Sequence, residues 1–373
     1  MIADEYREIL EVSRKFAAKE LGQSALETDL HPSLDWSKSI WMKSREVGFP
    51  GLLIPETYKG FGQSKACSAL VLDTIASECA GIASIFAYHF AACECIMAGN
   101  ERQKEAYLPL LANADTADPI IGTVVSLPYL DDNRLNLSEK NGKLILSGTS
   151  QLTGNVLFAN YICVFLDEKD KRKDITCLLI SRNEKGVKIG DSAGLTGLKH
   201  NPFAPVIFED MVVDDKFMIG ERGKAGEILQ STENLFNILT AAVSMGAART
   251  AYKKARAYAA ERYQYGRMII EHQEMQRMLG NMIMKLGIGT SGYMSSILQD
   301  ETGLSFALPS ASSAKAYCTD AAVEIVIDAI QVHGGYGYMH DYGVEKIYRD
   351  VKVLNLMGNS SPRVHIQTIK DII

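Results

Sequence analysis

The sequence predicts an α+β chain in three segments: helical to about residue 115, strand-rich from 116 to 219, and helical again from 220 to 373. Three observations predict it. Near the N-terminus, Tyr6, Ile9, Leu10, Phe16 and Leu21 recur at spacings that place them on one helical face. The middle carries short β-branched runs punctuated by Asn and Gly. After Gly220 come long stretches with few breakers. Helices, then strands, then helices, without βα alternation, argue against a doubly wound sheet.

In the first segment, residues Phe49 to Gln63 hold two prolines and three glycines and read as a loop. Helical pattern resumes from Lys65 to Ala98 and from Glu101 to Leu111. In the second segment, Ile120–Ser126, Lys143–Leu146, Tyr161–Leu166, Ile175–Ile180 and Val206–Phe208 read as strands, with Asn141-Gly142 as a turn. Together they predict a small antiparallel barrel or sandwich. In the third, Gly223–Tyr263 and Gln273–Gln299 read as helices, and Pro309 and Gly334-Gly335 mark further helix boundaries.

Composition narrows the function classes. The chain has 373 residues, 47% hydrophobic and 23% charged, as soluble globular proteins do. A net charge of −6 and the lack of a basic run predict no nucleic-acid partner. The opening residues lack the basic and apolar regions of a signal peptide, and no uninterrupted apolar run reaches a membrane span. The expectation is a cytoplasmic protein with no membrane partner. Seven cysteines at irregular spacing fit reduced thiols. Cys93 and Cys95 have no second pair to complete a zinc site and read as buried helix residues, so no metal is expected.

Ordered motifs then appear in the third segment. Tyr258-Ala259-Ala260-Glu261-Arg262-Tyr263-Gln264-Tyr265-Gly266 is followed by Glu271-His272-Gln273. Gln331-Val332-His333-Gly334-Gly335-Tyr336-Gly337-Tyr338 precedes Val344-Glu345-Lys346-Ile347-Tyr348-Arg349-Asp350. This resembles the acyl-CoA dehydrogenase family, with its Y-A-x-x-R-x-x-F-G, Q-x-x-G-G-x-G-Y and V-E-K-x-x-R-D patterns. Phe208-Glu209-Asp210 is similar to the family's F-x-D strand. The resemblance covers nearly the whole chain. It implies an N-terminal helical domain (1–115), a middle antiparallel β-barrel (116–219) and a C-terminal four-helix bundle (220–373). It implies FAD, with Arg262, Tyr265 and Gln273 reaching the cofactor of a neighbouring subunit in a homodimer or homotetramer. Gln331, Gly334 and Gly335 match the family's close-approach segment. An arginine suits a pyrophosphate, and glycines let backbone come near a ligand. Taken singly, Arg262 also reads as a surface arginine and the glycines as a helix cap.

The sequence also departs from that family. Its T-E-x-x-x-G-S-D stretch is here Ser126-Leu127-Pro128-Tyr129-Leu130-Asp131-Asp132, so Ser126 can still offer the flavin a hydroxyl but G-S-D is gone. Its W-[IV]-T-N motif is here Leu152-Thr153-Gly154-Asn155. A leucine replaces the aromatic that screens the flavin, and the threonine is displaced by one, leaving Thr153 as the candidate contact. The family reaction removes a proton next to a thioester carbonyl and passes a hydride to flavin, which needs a carboxylate over the substrate. The usual E-G-T glutamate falls on Gly358, with Ser360 matching the threonine. The alternative base position falls on Phe236, followed by Asn237 where an arginine is usual. Glu233, one turn before, is the candidate relocated base. It also reads as a solvated carboxylate favoured by the helix dipole. His89 is a further polar candidate that reads as structural.

Losing a positioned base costs roughly 10²- to 10⁴-fold in rate. Three readings follow. The first is an α,β-oxidation of an acyl thioester, on CoA or a carrier protein, with a relocated base and an electron-transfer flavoprotein or oxygen as acceptor. The second is a flavin monooxygenase or oxidase. The third is a non-catalytic subunit of a heteromeric dehydrogenase.

Overall fold

The computed structural model describes residues 2–112, 118–125, 135–168, 174–302, 310–358 and 360–372. Helix α1 (Ile2–Phe16) passes through a π-helical stretch, Ala17–Leu21, into α2 (Gly22–Leu30). Helix α3 (Leu34–Glu46) starts at Ser33, whose side chain accepts the Asp35 N–H. The expected loop follows. It folds back on itself: the amides of Phe61, Gly62 and Gln63 donate to the carbonyls of Gly51, Ile54 and Leu52. Gly60 is obligatory there, because a Cβ would sit 1.9 Å from the Ile54 oxygen.

The helix expected over Lys65–Ala98 is two: α4 (Lys65–Ala76) and α5 (Ala80–Met97). The break has no Pro or Gly to announce it. Helix α7 crosses here instead: a Cβ on Gly246 would lie 2.1 Å from the Asp73 oxygen, and Thr250 Oγ1 donates to the Ser77 oxygen at 2.6 Å. Helix α5 is long and apolar enough to cross a membrane, but 89% of it is buried within the protein. Helix α6 (Glu101–Leu111) begins at a capping box of Asn100 and Gln103.

The middle segment holds β1 (Gly122–Val125), β2 (Asn136–Lys140), β3 (Lys143–Thr149), β4 (Tyr161–Asp167), β5 (Ile175–Ser181), β6 (Val187–Ile189), β7 (Val206–Val213) and β8 (Met218–Ile219). Two four-stranded sheets form, in the orders β1-β4-β5-β8 and β2-β3-β7-β6. Ile162, Val164, Leu178 and Ile180 of the first face Leu146, Val206, Phe208 and Met211 of the second across an apolar core. Asn141 and Gly142, at φ 52° and 71°, make the β2–β3 turn. The expectation of a wholly antiparallel sheet needs one correction: β1 and β4 run parallel. The chain visits the second sheet between them, and parallel pairing requires such a long crossover.

The last segment is built on α7 (Gly226–Glu261), 36 residues long and buried all round from Leu235 to Ala248. A two-residue hairpin, β9 (Tyr263–Gln264) and β10 (Arg267–Met268), leads to α8 (Gln273–Thr302), α9 (Ala311–His333), α10 (Val344–Leu356) and α11 (Ser361–Ile372). The V-E-K-x-x-R-D motif of α10 clasps the segments together. Lys346 pairs with Asp350 at 2.6 Å, and Asp350 accepts the Leu198 N–H at 2.6 Å. Arg349 pairs with Asp29 of α2 at 2.6 Å and donates to the Thr196 carbonyl at 2.7 Å. Gly197 permits this approach, since its Cβ would lie 2.1 Å from the Arg349 oxygen.

Candidate functional site

The loop carrying Thr153, Gly154 and Asn155 is pinned from several sides. The buried Asn155 donates through Nδ2 to the carbonyls of Ile85 on α5 (2.8 Å) and Gly122 on β1 (3.2 Å). Its own N–H is accepted by Asn201 Oδ1 at 2.8 Å. Thr123 Oγ1 donates to the Gly154 carbonyl at 2.8 Å. The Thr153 hydroxyl donates to the Gln151 carbonyl at 3.3 Å, and its backbone bridges to Ala204. Leu152 is exposed beside it. Ser126 lies outside the described residues.

His89 anchors the same region. It is fully buried, accepts the Gly122 N–H at Nδ1 (3.1 Å) and contacts the Pro50 carbonyl through Nε2 at 3.1 Å. Burial holds it neutral, pushing its pKa down to about 4. Cys93 and Cys95 are buried on α5, as expected for helix residues. Among the described residues no group of three His, Cys, Asp or Glu is placed to hold a metal.

The two positions where the family keeps its base meet in space. A Cβ on Gly358 would lie 3.6 Å from the Phe236 ring and 3.4 Å from Asn237 Oδ1. No carboxylate stands at either. Phe236 is itself covered by Tyr88 of α5, at 4.7 Å between ring centroids, and Tyr88 meets Phe203 at 5.9 Å. Gly358 thus faces one aromatic ring, Phe236, and one amide, Asn237, with the Tyr88 and Phe203 rings stacked behind Phe236. Glu233 lies one helical turn, about 5 Å, before Phe236 along α7. The alternative expectation of a solvated carboxylate is corrected: Glu233 is only 5% exposed. Its turn of α7 is covered by other helices, so it does not face water as a first-turn acid usually does.

Helix α9 holds the loop that bears Gly358 and Ser360. Lys315 Nζ donates to the Asn355 carbonyl at 3.0 Å. Asp320 Oδ1 accepts from Asn355 Nδ2 at 2.7 Å and from Ser361 Oγ at 2.8 Å. Ser312 Oγ is 3.3 Å from Asn237 Nδ2. Burial pushes Lys315 down to about 7. Sequence reasoning missed Tyr88, Lys315 and Asp320. The available signal was a tyrosine, a lysine and an aspartate set in Ala-rich helical runs.

The remaining expected contacts gather at one exposed end of the bundle. Tyr265 (φ 53°) and Gly266 (φ 81°) form the hairpin tip, and Tyr265 is 94% exposed. Arg262 and Gln273 flank the hairpin and are exposed. Tyr258, one turn before Arg262, stacks on His333 at 4.6 Å, which brings the end of α7 to the end of α9. There Gln331, Gly334 and Gly335 are also exposed, and a Cβ on either glycine would meet nothing within 4 Å.

Two helical domains closed around a β-sandwich, with the polar loops at their junction, define the three-part architecture expected from the motifs. The chain belongs to the acyl-CoA dehydrogenase family: the N-terminal domain of acyl-CoA dehydrogenase matches residues 3–115 and the C-terminal domain matches residues 227–369. It is 28% identical over 369 residues to a 3-(aryl)acrylate reductase of Clostridium sporogenes, covering 96% of each chain. It is 29% identical to an acyl-CoA dehydrogenase of Bacillus subtilis, over 92% of this chain and 91% of the relative. Butyryl-CoA dehydrogenase of Megasphaera elsdenii shares the fold at a TM-score of 0.90 and 23% identity, over 99% and 98% of the two chains.

Proposed function

We propose that this protein is an FAD-dependent acyl-thioester oxidoreductase that handles the substrate proton without the loop glutamate. The observation that carries it is the meeting of Gly358, Phe236 and Asn237, joined through Tyr88 to the pinned Thr153–Asn155 loop. The two positions matched to the family's base lie together, and neither carries a carboxylate.

The donor set fits FAD. Arg262, Gln273, Gln331 and the open backbone of Gly334 and Gly335 offer cationic and N–H donors to a pyrophosphate. The Thr153 and Ser360 hydroxyls are the candidates for the flavin-ring side, and Ser126 is a candidate by its place in the sequence alone. When bound, FAD supplies two-electron chemistry at its ring. The chain's own part is to exclude water with the Tyr88, Phe203 and Phe236 rings and to hold the 355–361 loop through Lys315 and Asp320. Glu233 serves as the relocated base, moving the proton at the substrate's α-carbon. The carrier is CoA or a protein, and electrons leave to an electron-transfer flavoprotein or oxygen. The exposed hairpin and the apolar bundle face support a homodimer or homotetramer in which the hairpin reaches a neighbour's cofactor.

The run of Phe203, Tyr88 and Phe236 rings, the last beside Gly358, favours a second reading, in which the protein runs toward reduction of an α,β-unsaturated arylacryloyl thioester. Its likeness to an arylacrylate reductase supports this. One experiment tests both. FAD-loaded protein is mixed without oxygen with saturated acyl- and arylpropionyl-thioesters on CoA and carrier protein. The photoreduced protein is mixed with the unsaturated partners. Bleaching in the first arm supports oxidation, and flavin reoxidation in the second supports reduction. Silence in both arms overturns the proposal.

A further inference from the structure

Position 154 is where the W-[IV]-T-N pattern has its threonine, and here it is glycine. A Cβ on Gly154 would lie 2.5 Å from Tyr88 Cε2 and 2.9 Å from both Tyr88 Cδ2 and Asn201 Nδ2. Real Cβ atoms do not approach that closely, so no side chain fits at 154 while Tyr88 keeps its place. Backbone conformation does not explain the glycine, because Gly154 is not among the residues at positive φ. The phenol ring occupies the space that a side chain at 154 would fill.

Its hydroxyl goes with it. The backbone N–H of Gly154 acts on the phenol oxygen, against the effect of burial. Burial raises the phenol far above its ordinary range, so it stays protonated and able to donate. Thr153 is ill-placed to substitute, because its hydroxyl is spent on the Gln151 carbonyl within its own loop. The loop cannot swing to compensate, since Asn155 ties it to α5 and β1.

We propose that Tyr88 is the flavin-facing hydroxyl of this protein, supplied from α5 in place of a motif threonine at position 154. The proposal rests on the FAD reading above. It makes Tyr88 a cofactor-contacting residue that donates to the flavin ring, and it explains Gly154 and Tyr88 as one coupled change.

The test uses the FAD-loaded wild type, Tyr88→Phe and Thr153→Ala. Flavin absorption spectra and the dissociation constant of sulfite, which adds reversibly to oxidised flavin, are measured for each. Tyr88→Phe keeps the ring and its packing, so FAD stoichiometry is expected to match the wild type. Its flavin band is expected to shift, and sulfite is expected to bind about tenfold more weakly, the scale of one lost hydrogen bond near charge. Two results overturn the proposal: a Tyr88→Phe protein with wild-type spectrum and sulfite affinity, or a Thr153→Ala protein that carries the larger change. A wild type that takes up no FAD overturns the flavin reading itself, and this proposal with it.

Discussion

At the scale of single residues, the proposed chemistry turns on Gly358 and Glu233. Gly358 sits at φ 63°, a conformation that costs a side chain roughly 1–2 kcal/mol. Its Cβ direction is nevertheless open, with first contacts at 3.4 and 3.6 Å. Gly358→Glu is therefore expected to lower the melting temperature by a few degrees. Placed in the Glu233→Gln background, it is also expected to restore thioester-driven flavin reduction, by up to about 10²- to 10⁴-fold. Stopped-flow bleaching without oxygen reads the gain, and a double variant no faster than Glu233→Gln alone would show that the loop position no longer reaches substrate. Glu233→Gln is expected to slow the same bleaching by about 10²-fold or more while the fold is kept, as circular dichroism would report. An unchanged rate removes Glu233 as the base.

At the level of elements, buried polar ties hold the three segments in register. Lys346 and Asp350 are both almost wholly inside and 2.6 Å apart. Asp350→Asn leaves the Lys346 ammonium without its counter-charge, and breaking such a pair costs roughly 3–5 kcal/mol. The urea midpoint is expected to fall accordingly. Replacing both residues with apolar ones is expected to cost much less, because no buried charge is left behind. Two buried imidazoles add a pH dependence. His89 and His200 are each held at about 4, below the ordinary 6.5, by burial. The unfolded chain then binds protons that the folded chain refuses. Stability is unaffected above pH 6.5 and declines as pH falls from 6.5 toward 4, by up to roughly 3 kcal/mol per group. Chemical unfolding at successive pH values checks this, and a flat profile across that window would exclude it.

For the whole molecule, the exposed apolar surface matters most. Met284, Ile288, Tyr338 and Leu356 are 66%, 56%, 79% and 70% exposed. A groove of about 710 Å³ between α8, α9 and α11 is lined by Ile288, Tyr317, Ala321, Val364 and Ile369. Large apolar surface left open on a single chain marks an association face. The native mass from light scattering is expected to be two or four chains. Met284→Asp with Ile288→Asp is expected to reduce it and, on the proposed shared site, to loosen FAD, because Arg262 and the hairpin would then lose the neighbour they are proposed to reach. A wild-type monomer that holds FAD tightly would refute the shared site.

Much of the fold was legible in the chain. The helix–strand–helix order, the loop at Phe49–Gln63 and the Asn141-Gly142 turn follow from local periodicity and backbone preference, which neighbouring residues decide. So does the family, because its motifs are contiguous. The gap between α4 and α5 was not legible, since a crossing α7 imposes it through Gly246 and Thr250 rather than any breaker. Nor was the parallel β1–β4 pair, which depends on where the chain returns. The site divides in the same way. The absence of a carboxylate at Gly358 and Phe236 is plain in the sequence, as is the glycine at 154. That Gly358 and Phe236 lie against each other, that Tyr88 fills the room beside Gly154, and that Glu233 is enclosed rather than solvated were settled only by packing. Those facts join residues tens to hundreds of positions apart, and no local pattern encodes a contact between them.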